Sequence, residues 1–218
     1  MNKILITGFR HSGTTMLMQL LRAHPQVGWI EMEEGYVEYY DKPKKWILMM
    51  AKKRTSNLKK QAWGEKLPWG NRPGDKKAKR AISFTKRWFK LFKRSARVIH
   101  IIRHPVDVAS SERPDGTPSK EALKQILSTV PVYIDYINNN LHFATIVYED
   151  LVTNPREHLS NIFKFCGLDN DPKIVEKVIN SDLKFGKINA DRAYAFKKKG
   201  IESDINYEKI LERMYIRL

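Results

Sequence analysis

Cysteine is nearly missing from this chain: Cys166 is the one thiol in 218 residues. That excludes an internal disulfide framework and suits a reducing compartment. Cys166 sits in an apolar helical pattern, so it reads as a core residue rather than a nucleophile. Long apolar runs are missing too. No stretch approaches the ~20 residues of a membrane-spanning helix. The opening Lys3-Ile4-Leu5-Ile6-Thr7 is too short for a secretory leader before it meets a glycine loop. These absences predict a cytoplasmic chain with no membrane span. No grouping of His, Cys and Asp has metal-ligand spacing, so no metal is expected. There is no internal repeat and no linker composition, which predicts one domain over residues 1–218. At 42% hydrophobic residues the composition is that of an ordinary globular protein, and the length suits one α/β domain with its own core.

Negative charge is scarce in one place. From Lys42 to Arg97 there are 20 Lys and Arg against Glu65 and Asp75, a local balance of +18. The whole chain carries +16, so everything outside that segment is close to neutral. A run of charge is ordinarily a solvated face, but this concentration favours an anionic partner. Nucleic acid, an acidic polysaccharide and an anionic membrane surface would each satisfy it. Trp46, Trp63, Trp69 and Trp88 are interleaved with the cations, and aromatic faces among Lys and Arg suit acidic sugars or an acidic peptide.

What is present begins at Ile4. Ile4-Leu5-Ile6 is the apolar run of a buried parallel strand, expected to break at Gly8. Met16, Leu17, Leu20 and Leu21 then recur with helical spacing. Between them lies Gly8-Phe9-Arg10-His11-Ser12-Gly13-Thr14-Thr15. A strand, a glycine turn and a helix N-terminus leave backbone N–H groups unpaired at one point, where the helix dipole adds positive charge. This is an anion site, and phosphate is its natural guest. The nucleoside-triphosphate loop has its Lys directly after the second glycine. Here Thr14 holds that place, and the basic residues stand before Gly13, in Arg10-His11-Ser12.

Further along, His24-Pro25 ends the helix, and Val27-Gly28-Trp29-Ile30 predicts a second strand. Glu31, Glu33 and Glu34 follow its C-terminal end, where ligands of open parallel sheets bind. Carboxylates near an anion loop suit a general base, or equally the acidic first turn of a helix. A helix is expected over 36–54, a short strand over 61–69, an amphipathic helix over 77–92 and a strong strand over Arg97–Ile102. Arg103, at that strand's end, is placed to meet a phosphate, with Ser111 adding a hydroxyl from the helical segment beyond. A helix over 119–140, broken at Pro131, leads to a buried strand over 143–148. Asn154-Pro155 and Asp171-Pro172 predict N-capped helices, and 206–218 predicts a last amphipathic helix.

Taken together these motifs resemble the sulfotransferases that use 3′-phosphoadenosine 5′-phosphosulfate (PAPS). Ser12-Gly13-Thr14-Thr15 is similar to the core of their phosphosulfate loop, Glu65-Lys66-Leu67-Pro68-Trp69 to their Lys-x-Pro segment, and Arg103 with Ser111 to their 3′-phosphate motif. The run Tyr148 to Leu168 resembles their Tyr-Glu-Asp-Leu region, and Lys198-Lys199-Gly200 their basic Arg-Lys-Gly loop. The five pieces occur in family order. The resemblance implies a P-loop-like three-layer α/β fold with a central parallel sheet flanked by helices. It implies transfer of a sulfuryl group from PAPS to a hydroxyl or amine, with 3′,5′-phosphoadenosine (PAP) as product and no metal. Arg10, His11, Ser12, Gly13, Thr14 and Thr15 would hold the 5′-phosphate, and Arg103, Ser111, Lys198, Lys199 and Gly200 the 3′-phosphate. Lys66, Arg10 and His11 would stabilise the group in flight, and Glu31, with Glu33 as runner-up, would be the base. His11 stands where most relatives carry Lys or Arg, so Arg10 and His11 both qualify for that duty. Residues 42–97 fall where the family commonly shapes its acceptor side, which implies an anionic acceptor, an acidic saccharide before an acidic peptide. A PAPS site gives nucleic acid no chemical role. A P-loop kinase of small molecules and a non-enzymatic polyanion-binding module are the two alternatives.

Overall fold

The strand that opens the chain runs through its glycine instead of stopping there. In the computed structural model β1 spans Asn2–Phe9, and seven of its eight residues are buried. The structure describes residues 1–31, 59–69, 85–86, 88–90, 92–111, 120, 123–124, 126–127, 142–181 and 188–190. The helices expected over 36–54 and 206–218, the break at Pro131, and Glu33, Glu34, Lys198, Lys199 and Gly200 lie outside the described residues.

Among the described residues, four more strands join β1: β2 (Val27–Glu31), β3 (Ala62–Trp69), β4 (Ala96–Ile102) and β5 (Phe143–Val147). Every pairing is parallel, and the order is β2-β3-β1-β4-β5. β1 is central because its residues are apolar on both faces, as a strand covered twice must be. Pro68 sits within β3 past Glu31↔Glu65, the last pair that β3 makes with β2. Its missing N–H therefore falls where pairing on that side has ended.

Strand alternation divides the core. Ile4, Ile6, Ile99, Ile101 and Ile146 point to one face. There they meet α1 (Thr14–Ala23), α3 (Tyr148–Thr153), α4 (Pro155–Cys166) and α5 (Pro172–Ile179) through Leu17, Leu21, Leu151, Phe163 and Val175; the short α2 (Pro105–Ser110) follows β4. On the other face Trp63 meets Trp88 and Phe92 edge to face, at 6.3 and 5.9 Å between ring centres. Helical residues thus lie on both sides of the sheet, and the expected three-layer α/β fold is what forms.

Local signals explain most element ends, with one correction. Asp171 caps α5 by accepting from Lys173 N at 2.7 Å, as its Asp-Pro pair predicts. Asn154 precedes Pro155 as expected, yet its side chain makes no bond to the backbone of α4 and donates to Glu157 instead. Cys166 is fully buried, and burial pushes its thiol up to about 12, which confirms a core residue. His24, 1% exposed, locks α1 to the start of α5. Its Nδ1 accepts from Gln26 N, which leaves Nε2 to donate to Asp169 O at 2.8 Å.

Candidate active site

The sheet order places the site. From β1 the chain passes to β2 on one side, while β4 and β5 lie on the other, so the loops after β1 and β4 diverge and leave a crevice between them. Gly8–Thr15 leaves one side of that crevice, and Arg103 stands on the other.

The loop is a tight backbone cradle. Gly8 has φ 155, and a Cβ there would lie 2.4 Å from Ile101 O. His11 at φ 65 and Gly13 at φ 102 both occupy the left-handed region; turns built on such residues bring successive N–H groups into a concave nest for anions. Ser12 is fully buried and spends its hydroxyl hydrogen on Phe9 O at 2.7 Å, which braces the loop from inside. Gly13 caps α1 without any side-chain bond, and no acidic residue occupies the first turn. The positive end of the helix therefore faces the crevice without a carboxylate to quench it. Thr14 is buried, Arg10 and Thr15 are half-buried and His11 is exposed.

Two further cations converge on this loop, one from each strand that flanks β1. Lys66, opposite Ile6 in β3, is buried at 5% exposure, and its Nζ donates to Thr15 Oγ1 at 3.2 Å. Arg103 follows β4. Its Nη1 donates to His11 O at 3.3 Å, its guanidinium carbon lies 4.5 Å from the centre of the Tyr148 ring, and its Nη2 is 3.5 Å from Asp107 Oδ2. Ser111 closes α2, with its Oγ donating to Val108 O. Glu31 is the last residue of β2 and lies level with Glu65 of β3.

Sequence reasoning assigned Tyr148 and Glu149 a structural part only. Tyr148 stands where β5 ends, and its ring packs under both Arg103 and Gly13, where a Cβ on the glycine would come within 2.6 Å of Cδ2. The strand-end rule applied to β5 would have marked it. Glu149, 1% exposed, accepts from His104 N at 2.9 Å. Burial outweighs the hydrogen bonds and the Arg103 charge, and pushes its carboxyl up to about 7. No spacing in the sequence pairs Glu149 with His104, since 45 residues separate them.

Fold and site define a parallel α/β protein with a glycine loop and helix N-terminus at its switch point, met by Lys66 and Arg103 from either side. The sequence model of the sulfotransferase domain matches residues 1–113, more than half of the chain, and the chain belongs to that family. No curated protein matches it in sequence. Among solved structures, a sulfotransferase domain from the Synechococcus PCC 7002 olefin synthase superposes with a TM-score of 0.67 at 17% identity, over 100% of this chain and 96% of that one. A sulfotransferase domain from the curacin biosynthetic pathway gives 0.63 at 16% identity, over 100% and 98%. A sulfotransferase from Alicyclobacillus acidocaldarius gives 0.52 at 16%, over 98% and 94%. At such identities the likeness speaks to the fold.

Proposed function

We propose that this chain transfers the sulfuryl group of PAPS to a hydroxyl or amine of an anionic acceptor, an acidic saccharide before an acidic peptide. The observation that carries the donor half is the convergence of Lys66 and Arg103, from either side of β1, on one helix N-terminus that no side chain caps. Backbone N–H groups, threonine hydroxyls, an ammonium and a guanidinium are the donor set that phosphate and sulfate esters require.

PAPS supplies the sulfuryl group and a phosphate that leaves with the electron pair. Ser12 and Gly13 hold the 5′-phosphate through backbone N–H groups, and Thr14 and Thr15 through backbone and hydroxyl donors. Arg10, His11 and Lys66 stabilise the charge that gathers at the bridging oxygen and on the group in flight; one such donor is worth roughly 2.7–4 kcal/mol of barrier. Arg103, Ser111, Lys198, Lys199 and Gly200 take the 3′-phosphate. Glu31, or Glu33 two residues on, accepts the acceptor's proton. The reading needs no metal. Residues 42–97 supply the acceptor side of a single domain, and the one thiol suits the cytoplasm.

Two measurements test this reading. In calorimetry, PAP binds without Mg²⁺ and ATP competes poorly; equal affinity for ATP, or a demand for Mg²⁺, returns the site to the kinase class. In a screen with labelled PAPS, acidic glycans are preferred, and their apparent affinity falls with salt, because exposed charges more than about 10 Å apart are screened at 0.1 M. A preference for neutral phenols without salt dependence would make the basic segment a solvated face.

A further inference from the structure

Two carboxyls are buried beside Arg103 and the turn that carries it. Asp107 is 4% exposed, and its Oδ2 already lies 3.5 Å from Arg103 Nη2. Glu149, carried on α3, adds a second carboxyl and accepts the N–H of His104, the residue directly after Arg103. His104 Nδ1 in turn accepts from Val106 N at 3.3 Å, so its ring is neutral here. Among the described residues, the charged and titratable groups around Glu149 include Arg103 and His104 of the β4–α2 turn, Asp107 of α2, and its own neighbours Tyr148 and Asp150. Ionising Glu149 sets a second carboxylate beside Asp107 in the field of Arg103. An amide would satisfy His104 N equally well. The carboxyl adds a second charge state directly behind the group that faces the donor.

We propose that Glu149 is a positioning residue for the donor's 3′-phosphate: its carboxyl fixes the Arg103–His104 turn, and its proton is taken up as the phosphate arrives. This rests on the donor reading above and deepens it. A phosphate set against Arg103 adds negative charge close to Glu149, and a like charge nearby favours the protonated carboxyl. Phosphate binding and protonation of Glu149 then strengthen each other, as linked equilibria must. Free Glu149 titrates at about 7, so the coupling falls in a range that experiment reaches easily. Below about 7 the Glu149 carboxyl is protonated behind Arg103 and the turn receives the phosphate well. Above it, the ionised carboxylate competes with the phosphate for the guanidinium.

The test is calorimetric titration of PAP and of adenosine 5′-phosphate into wild type, Glu149→Gln and Glu149→Ala, from about pH 6.5 to about pH 9. The nucleotide phosphates have their second ionisation near ~6, so they gain the last of their charge up to about pH 7.5 and are almost fully charged above it. Wild type should lose PAP affinity as pH rises, by up to roughly tenfold per unit. Adenosine 5′-phosphate, which lacks the 3′-phosphate, should stay nearly level. Glu149→Gln keeps the acceptor for His104 N and should bind PAP with a level profile, tighter than wild type at the alkaline end. Glu149→Ala removes that acceptor and should weaken PAP by roughly ten- to a hundredfold at every pH. Wild type alone gives a second readout, needing no variant to fold. At about pH 8, titrations in buffers of different ionisation enthalpy should show uptake of a fraction of a proton approaching roughly one on PAP binding. Tight PAP binding with parallel wild-type and Glu149→Gln profiles, or with no proton uptake, overturns this inference and leaves the donor reading standing. Failure of wild type to bind PAP at any pH overturns both.

Discussion

His100 gives the protein a built-in weakness to acid. It lies in β4, level with Thr7 of β1 and Thr145 of β5, on the face that also carries Phe143. The side chain is 1% exposed, and Nδ1 lies 3.3 Å from Thr7 Oγ1. Burial disfavours the charged ring and lowers its pKa from 6.5 to about 3, although a bond with the Thr7 backbone acts the other way. The unfolded chain accepts a proton below about 6.5 that the folded chain refuses. Stability from this residue is therefore fully present above about 6.5, and it drains as pH falls towards 3. Each unit is about 1.36 kcal/mol, so acidification from about 7.5 to about 5 removes about 2 kcal/mol, a large part of an ordinary 5–15 kcal/mol. His100→Asn keeps a polar atom for Thr7 and does not titrate, but it leaves part of the ring volume empty. It should cost roughly 1–3 kcal/mol near neutral pH. The measurement is urea unfolding of both proteins across that range, taking the difference between them so that every shared titration cancels. The gap should narrow by about 2 kcal/mol and close near about pH 5. Parallel curves would mean that His100 is charged or solvated in the folded state, and the account of the row Thr7–His100–Thr145 would fall.

Three other outcomes follow from the site. Gly13→Ala forces an L-residue to φ 102 with its Cβ 2.6 Å from Tyr148; a loss of roughly 2–5 kcal/mol in stability should come with weaker PAP binding, and an unchanged melting temperature would count against the loop as built. Arg103→Ala should weaken PAP far more than adenosine 5′-phosphate, whereas equal losses would show that Arg103 does not read the 3′-phosphate. Glu31→Gln should reduce turnover by about 10²–10⁴-fold while leaving PAP affinity nearly intact; an active Glu31→Gln beside an inactive Glu33→Gln would move the base by two residues.

The sequence by itself determined the described strands and the glycine loop after β1. β1, β4 and β5 are short apolar runs with no alternation, the pattern of a parallel strand covered on both faces. Two glycines between a strand and an amphipathic helix make a tight loop that turns backbone N–H groups to one point, because that is local backbone geometry. Local signals misled where a tertiary partner decides. Gly8 suggested a strand end, but pairing with Pro68 carries β1 on to Phe9. Asn154 suggested a side-chain cap, but Glu157 takes its amide. Lys66 was legible as a motif residue inside a basic segment; its burial against Thr15 depends on β3 inserting between β2 and β1, an order that no spacing encodes. Tyr148-Glu149 read as scaffold, and no spacing in the sequence sets them beside Arg103 and His104. Their place under Arg103 arises because β4 and β5 pair in parallel and end side by side, bringing residues 45 positions apart within 2.9 Å. Periodicity reports which face of an element is buried. Which elements end together, and so which charges share one crevice, was decided by the closing of the sheet.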